Sequence, residues 1–151
     1  MVGVVTFWET FIGVDNPIYI GDIWANTIRP LGGTHLFYVD QQGIGTPSID
    51  ASIVSKTYST FQEVLDDNPD ATYVFLEAER SIPKGTDFTY LKDFVHPKED
   101  VIYVFGKDSS DVFTENLPLE GNHVVSITTN DNLVLWSLIT VGIVLYDRKV
   151  K

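Results

Sequence analysis

Short apolar runs, rich in β-branched and aromatic residues, recur along the chain between polar segments and segments that contain glycine or proline. Runs of this length and composition are typical of strands that are buried on both faces of a sheet. The pattern predicts six strands, at residues 1–8, 34–39, 55–58, 72–76, 101–105 and 124–127.

Helical signals lie between these strands. Residues 20–31 predict a helix that stops at the Gly32-Gly33 pair, because glycine is favoured just beyond a helix end. Thr60 and Glu63 have the spacing of a capping box, which predicts a short helix to about residue 67. Since strands alternate with helices, we expect one α/β domain, residues 1–151, with a parallel sheet covered by helices on both faces.

The last apolar segment, residues 133–146, carries no charged side chain. It predicts a third helix that is too short to span a bilayer comfortably. Residues 130–132 are candidates for its N-terminal cap, and Arg148 and Lys149 suit its C-terminal dipole. Apolar residues lie almost all round this helix, so one packed face cannot bury them all. We therefore expect a second burying surface, most simply a partner subunit in a homodimer.

The remaining segments are polar or interrupted by glycine and proline. They predict a turn at residues 15–17, loops at residues 41–53 and 77–87, and a single helical turn at residues 90–95. No internal repeat, low-complexity tract or linker divides the chain.

Composition restricts the class of protein. A chain of 151 residues with 44% apolar residues can bury a core as one globular domain. The absence of cysteine excludes disulfides and cysteine–metal sites, and the first residues lack a secretory pattern, so we expect a cytoplasmic protein. The net charge of −11 opposes nucleic-acid binding unless the few basic residues cluster.

Other candidate chemistry has little support. His35, His96 and His123 are far apart and lack metal-ligand spacing, so we expect structural histidines and no metal site. A flavodoxin-like nucleotide-binding domain would contact its cofactor at residues 9–14. That segment lacks the run of small hydroxyl and glycine residues expected of a phosphate loop.

Three segments in the last third have the order and spacing of a known family. They are Phe105-Gly106-Lys107-Asp108 after a strand, Ile127-Thr128-Thr129 after the next strand, and Gly142-Ile143-Val144-Leu145-Tyr146-Asp147 at the end of the last helix. They resemble the Phe-Gly-x-Glu, Ile-Pro-Met-like and Leu-Tyr-Glu-like pieces of the SpoU-type RNA ribose 2′-O-methyltransferases, which belong to the SPOUT superfamily. The order of all three pieces carries the resemblance.

The resemblance implies a fold and a cofactor. Members of this family fold as a small α/β domain whose C-terminal part forms a trefoil knot. They bind S-adenosylmethionine at three loops beyond the C-terminal strand ends, where open α/β sheets commonly bind ligands. Carried over by position, the cofactor-binding residues are Leu76, Glu77, Phe105, Gly106, Ile127, Thr128 and Leu135.

The catalytic motifs of the family match only in part. Its Asn-x-Gly-x-x-x-Arg motif falls at residues 19–25, where Gly21 matches and Tyr19 and Ala25 replace the asparagine and the arginine. In the family this arginine is thought to help activate the ribose hydroxyl. Arg29 lies one helical turn further on, on the same helical face, and is our candidate for the catalytic cation.

The other two motifs also diverge. Asp108 stands where the family has a glutamate. The Ser-Leu-Asn that opens the last helix is expected at residues 134–136, where Leu135 matches and Trp136 replaces the asparagine. Asn130 and Asn132 lie just upstream.

Two functions remain open from the sequence. The first is S-adenosylmethionine-dependent methylation of a ribose 2′-hydroxyl in tRNA or rRNA. The second is a catalytically degenerate SPOUT-fold homodimer that acts as a binding or scaffolding protein. A cofactor pocket with a basic rim would favour the enzyme, and a pocket filled by Trp136 or by the Glu77 loop would favour the scaffold. Candidates for the rim are Arg29, Arg80, Lys84, Lys92, Lys98 and Lys107.

Overall fold

A computed structural model describes residues 1–9, 17–48 and 52–151, except for the side chain of Pro17. Within these residues seven strands form one sheet, in which every pair is parallel. The strands are β1 (Val2–Phe7), β2 (His35–Val39), β3 (Val54–Tyr58), β4 (Thr72–Leu76), β5 (Thr89–Tyr90), β6 (Val101–Phe105) and β7 (His123–Ser126). Their order across the sheet is β3-β2-β1-β6-β4-β7-β5.

The sheet has an apolar core on each of its two faces. The helices are α1 (Pro17–Ile28), α2 (Phe61–Asp67) and α3 (Ser137–Val150). Tyr103 and Phe105 of β6 point into the cluster that contains the buried residues of α1 and α3. Ile102 and Val104 point into the opposite cluster, which contains the buried residues of α2. Because successive strand residues face opposite sides, this arrangement buries every residue of β6 and confirms the predicted α/β class.

The predicted strands are confirmed, with small shifts at their ends. The sequence did not indicate β5, because two residues that pair only with β7 carry no periodic pattern. The predicted helical turn at residues 90–95 is a 3₁₀ turn at Leu91–Asp93. Of the predicted turn at residues 15–17, only residue 17 is described. The alternative phosphate loop at residues 9–14 lies almost entirely outside the described residues.

The first two helices follow their local signals. α1 ends at Ile28, earlier than predicted, because Pro30 disfavours helical geometry at the residue before it. Gly33 then donates its N–H to the Ile28 carbonyl at 2.8 Å. Gly21 of α1 lies so close to a neighbouring loop that an added Cβ would sit 2.3 Å from Pro47. The capping box at the start of α2 is confirmed.

The predicted start of α3 at residue 133 is wrong, since the helix begins at Ser137. The expected cap residues form a separate 3₁₀ turn, Asn130–Asn132, in which Asp131 has a φ of 56°. Thr129 donates its hydroxyl to the Leu133 carbonyl at 2.7 Å, which closes this turn and leaves the next residues non-helical. Among the described residues, no helix has the length and apolarity needed to cross a membrane.

A buried histidine joins α3 to the sheet. The His96 side chain is 4% exposed, and its Nε2 lies 2.9 Å from a carboxylate oxygen of Asp147. A carboxylate can only accept, so Nε2 carries the proton, and Nδ1 of the neutral ring accepts from the Tyr103 hydroxyl at 2.7 Å. Burial lowers the pKa of His96 below its ordinary 6.5, although the Asp147 carboxylate opposes this shift. Protonation would leave the buried Tyr103 hydroxyl proton without this acceptor.

We expect this histidine to make the protein less stable in mild acid. With a lowered pKa in the folded state, the unfolded chain binds more protons below about pH 6.5, so stability falls as the pH falls, by at most about 1.4 kcal/mol per pH unit for one group. Urea unfolding at pH 7.5 and at pH 5.5 should show a smaller loss for His96→Gln than for the wild type. Equal losses in the two proteins would exclude His96 as the titrating group.

Candidate functional site

Two adjoining cavities lie where β4, β6 and β7 end. Parallel strands present their carboxyl ends at one edge of a sheet, so the three following loops meet there. The first cavity is an apolar slot of about 40 Å³. The second is an open cleft of about 410 Å³. Glu77, Val134 and Leu135 line both, so the slot and the cleft adjoin.

The slot is lined mainly by aliphatic side chains from the strand ends and from the segment before α3. They are Leu76, Val125, Ile127, Leu133, Val134 and Leu135. The cleft is more polar, with Arg80, Asp108, Ser109 and Asp111 in its lining. Trp136 also lines the cleft, and its side chain is 62% exposed. An apolar slot next to a polar cleft suits a ligand with an apolar ring at one end and charged groups at the other.

Glu77 forms part of the wall between the slot and the cleft. Its carboxylate accepts the backbone N–H groups of Val112 and Ala78, each at 2.9 Å. Burial raises the pKa of Glu77, and the two N–H donors oppose that shift. An added Cβ on Gly106 would lie 2.6 Å from the Glu77 carboxylate. The absence of a side chain at Gly106 therefore allows the Glu77 carboxylate to approach. The expected contact of Gly106 with a cofactor stays a prediction.

Asp108 and Ser137 connect the end of β6 to the start of α3. Asp108 accepts both the backbone N–H of Ser137, at 3.0 Å, and its hydroxyl, at 2.6 Å. The same hydroxyl lies 2.9 Å from the Gly106 carbonyl. The side chain of Trp136, the residue before the helix, makes no capping hydrogen bond. A carboxylate from another loop thus satisfies the first N–H of α3 and lies near the positive end of its dipole.

The structure brings together most of the residues predicted to bind a cofactor. Leu76, Glu77, Ile127 and Leu135 line the slot, and Gly106 lines the cleft. Two others lie elsewhere. Phe105 is buried in the core, where its ring meets Trp24 edge to face with centroids 6.2 Å apart. Thr128 is exposed and lines neither cavity.

Arg29 lies away from the cleft of its own protomer. It follows the last residue of α1, next to Pro30, whose carbonyl accepts the Lys149 ammonium from the last turn of α3 at 2.8 Å. The cleft borders the first turn of α3, and the 14 residues of this helix span about 21 Å. Ala25, at the motif position of the arginine, is buried in the apolar core. An arginine there would have to bury its charge.

The basic residues proposed as one rim are divided between places. Arg80 and Lys107 line the cleft, where Lys107 pairs with Glu115 at 2.8 Å. Lys92 and Lys98 line a different groove, beside the last turn of α3. These two candidate lysines therefore do not lie at the rim of the cleft of their own protomer.

Sequence reasoning missed Ser137 as part of the site. The helix-opening motif was placed at residues 134–136, because the apolar run before Ser137 looked helical. The true start gives Ser137-Leu138 at the first turn, with Ile139 in the asparagine position. The usable signal was the pair Ser137-Leu138, which matches the first two residues of the family's Ser-Leu-Asn. Among the described residues, no group of three or more histidine or acidic side chains could hold a metal ion.

Replacing the capping carboxylate should destabilise the start of α3. We expect Asp108→Ala to lower the free energy of unfolding by about 1–2 kcal/mol, because two hydrogen bonds to Ser137 are lost. Asp111→Ala is the matched control, since it removes the same charge from the same loop and should change stability by less than about 0.5 kcal/mol. Chemical denaturation measures both. A similar loss in the two variants would mean that charge, and not capping, is responsible.

The fold of this chain matches solved structures, although its sequence matches no protein-family model and no curated protein. A candidate RNA methyltransferase from Bacillus anthracis is 20% identical, with 99% of this chain and 94% of that chain covered and a TM-score of 0.63.

Two further structures extend the comparison. The TrmH/SpoU tRNA modifying enzyme of A. aeolicus is 15% identical over 99% of this chain and 73% of that chain, with a TM-score of 0.63. The SpoU methyltransferase AviRb from Streptomyces viridochromogenes, solved with AdoMet, is 13% identical over 99% of this chain, with a TM-score of 0.65. This chain spans only 58% of AviRb. The trefoil knot stays a prediction, but the topology and these matches show that the chain has the fold of these SpoU-type methyltransferases.

Proposed function

We propose that this protein binds S-adenosylmethionine in the slot and cleft and methylates a ribose 2′-hydroxyl of RNA. The observation that carries the proposal is the apolar slot that adjoins a polar cleft at the ends of β4, β6 and β7. Among solved proteins of the same fold, one is named as a candidate RNA methyltransferase, one as a tRNA modifying enzyme, and a SpoU methyltransferase was solved with this cofactor.

The lining residues fit such a cofactor in kind. Aliphatic side chains suit an adenine ring, and the cleft is within the usual size range of small-molecule sites. The slot itself has room for about one or two water molecules, so an adenine ring enters only after the segment of residues 133–136 moves outward. These residues are exposed, so such a movement costs little buried apolar surface.

The side chains of the cleft also suit the charge of the cofactor. When bound, S-adenosylmethionine supplies an electrophilic methyl group on a positively charged sulfur. Glu77 and Asp111 place negative charge in this part of the molecule, which favours a cation. This attraction would contribute to binding of the cofactor and not to the transfer step, since methyl transfer removes the positive charge from the sulfur.

The cation that assists the ribose hydroxyl has two candidates. Arg80 is exposed and lines the cleft of its own protomer. Arg29, the candidate from the sequence, lies beside the last turn of α3 and would reach a cleft only in a second copy of the chain. We therefore propose Arg29 as the catalytic cation only if a second copy of the chain brings it to a cleft.

A homodimer through α3 satisfies the condition. Four exposed residues, Ile139, Ile143, Tyr146 and Val150, follow one another at spacings of four, three and four along α3 and form one apolar stripe. A twofold pairing of two such stripes buries both at once. If the helices run antiparallel, the basic last turn of each lies near the acidic cleft of its partner, which favours that orientation.

The scaffold alternative has an observation in its favour. The slot is small, about 40 Å³, and Ala25 occupies the buried motif position of the arginine. Trp136, however, projects into solvent at the cleft, and the cleft stays open beside Glu77. These features favour the enzyme over a filled pocket.

Cofactor binding tests the proposal directly. We expect calorimetric titration to give micromolar binding of S-adenosylmethionine. Leu135→Asp should weaken it at least about tenfold, since a carboxylate would lie in the apolar slot. Leu119→Asp is the matched control, because Leu119 is 40% exposed and Leu135 is 38% exposed. Tritiated methyl transfer to RNA, with alkali-resistant linkages at the product, tests the 2′ position. No binding at millimolar cofactor would leave the scaffold function.

Oligomeric state tests the dimer. We expect sedimentation equilibrium to give a dimer for the wild type and a monomer for Ile143→Asp, because the change places a charge in the middle of the stripe. Val95→Asp should leave the mass unchanged, since Val95 is 84% exposed and lies outside the stripe. A monomeric wild type would contradict the dimer and remove Arg29 as a catalytic candidate.

A further inference from the structure

Basic side chains are concentrated around the last turn of α3. The chain has ten lysines and arginines against 21 acidic residues. Four of the ten line one open groove of about 450 Å³: Lys92, Lys98, Arg148 and Lys151. Arg29 and Lys149 lie at the same end of the helix, because Lys149 donates to the Pro30 carbonyl. More than half of the positive charge is thus gathered at one place.

The groove is held in shape by α3. The Lys151 ammonium donates to the carbonyls of Leu91, at 2.7 Å, and of Phe94, at 3.2 Å, and it pairs with Asp147 at 2.7 Å. Arg148 donates one N–H to the Lys98 carbonyl at 3.0 Å. These bonds fix the segment of residues 91–98 to the helix end, so the position of its lysines does not depend on a mobile loop.

The groove keeps positive charge available for a ligand. Within the described residues, the ammonium groups of Lys92 and Lys98 make no hydrogen bond or ion pair, and both residues are exposed. Arg148 uses one of its five N–H donors in the bond to Lys98. Asp93 is the acid in the lining, and Asp147 is already paired with His96 and Lys151. Positive charge therefore exceeds negative charge here, in a protein with a net charge of −11.

We propose that this groove binds the phosphate backbone of RNA, an inference that rests on the proposed function. Phosphate neutralisation by lysine and arginine supplies most of the non-specific affinity of proteins for nucleic acids. The guanidinium of Arg148 suits phosphate geometry, and an open groove suits a chain better than a small ligand. An acidic protein is the competing partner, and the RNA substrate of the proposed reaction favours a nucleic acid.

The position of the groove defines what part of an RNA it contacts. The cleft borders the first turn of α3, and the groove borders its last turn. Within one protomer the two sites are therefore about 20 Å apart. The groove therefore holds RNA that flanks the target nucleotide. Arg148 follows Ile139 by nine residues, two and a half helical turns, which puts it on the side of α3 opposite to the apolar stripe. A dimer through the stripe leaves the groove open.

Charge reversal in the groove tests the proposal. We would measure fluorescence anisotropy of a labelled single-stranded RNA of about 20 nucleotides between about 50 and 200 mM salt. Lys92→Glu and Lys98→Glu should each weaken binding about three- to tenfold and reduce the salt slope by about 1. Lys56→Glu, an exposed lysine on the edge strand β3 with the same change in charge, should weaken it less than about twofold.

The outcomes separate the groove from the cofactor site. Each variant is also titrated with S-adenosylmethionine, and unchanged cofactor affinity with weaker RNA binding supports the groove. A wild type that binds RNA in this groove but no cofactor keeps the groove and ends the methyltransferase proposal. Equal weakening by Lys56→Glu, no RNA binding at about 50 mM salt, or displacement of the RNA by polyglutamate at equal charge concentration would overturn the groove as an RNA site.

Discussion

The contact of Ser137 with Asp108 and Gly106 is the constraint on which the functional end of this molecule depends. It fixes the first turn of α3 against the loop that follows β6. Because α3 cannot begin earlier, residues 133–136 stay non-helical and form one wall of the slot and cleft. The helix start, the capping carboxylate and the cavity are therefore one structure, and a change in any of them affects the other two.

The two ends of α3 have opposite electrostatic character. Its first turn lies among acidic side chains, including Asp108 and Asp111 in the cleft, and its last turn carries Arg148, Lys149 and Lys151. The net charge alone argued against an RNA partner. The clustering changes that conclusion, since a polyanion responds to the local excess of charge within about one Debye length, about 10 Å at moderate salt. The same separation of charge favours antiparallel pairing in the proposed dimer.

Much of the fold could be predicted because strand and helix signals are local. Residues 72–76 and 101–105 were predicted with their observed bounds, and the Thr60–Glu63 capping box was confirmed. Residues 133–136 misled the prediction, because an apolar run carries the same pattern whether it continues a helix or lines a cavity. The cap of α3 was also beyond local reasoning, since its carboxylate lies 29 residues away in the sequence.

The sequence by itself determined the parallel α/β class, because its alternating strand and helix signals leave little choice there. The three loops at one sheet edge came from the family resemblance, in agreement with the direction of parallel strands. Only the tertiary structure decided which side chains face the cavity. It turned Phe105 into the core, placed Glu77 against Gly106, and put Arg29 with Lys149 at the far end of α3. Such positions depend on how the helices pack against the sheet, and spacing along the chain does not determine that packing.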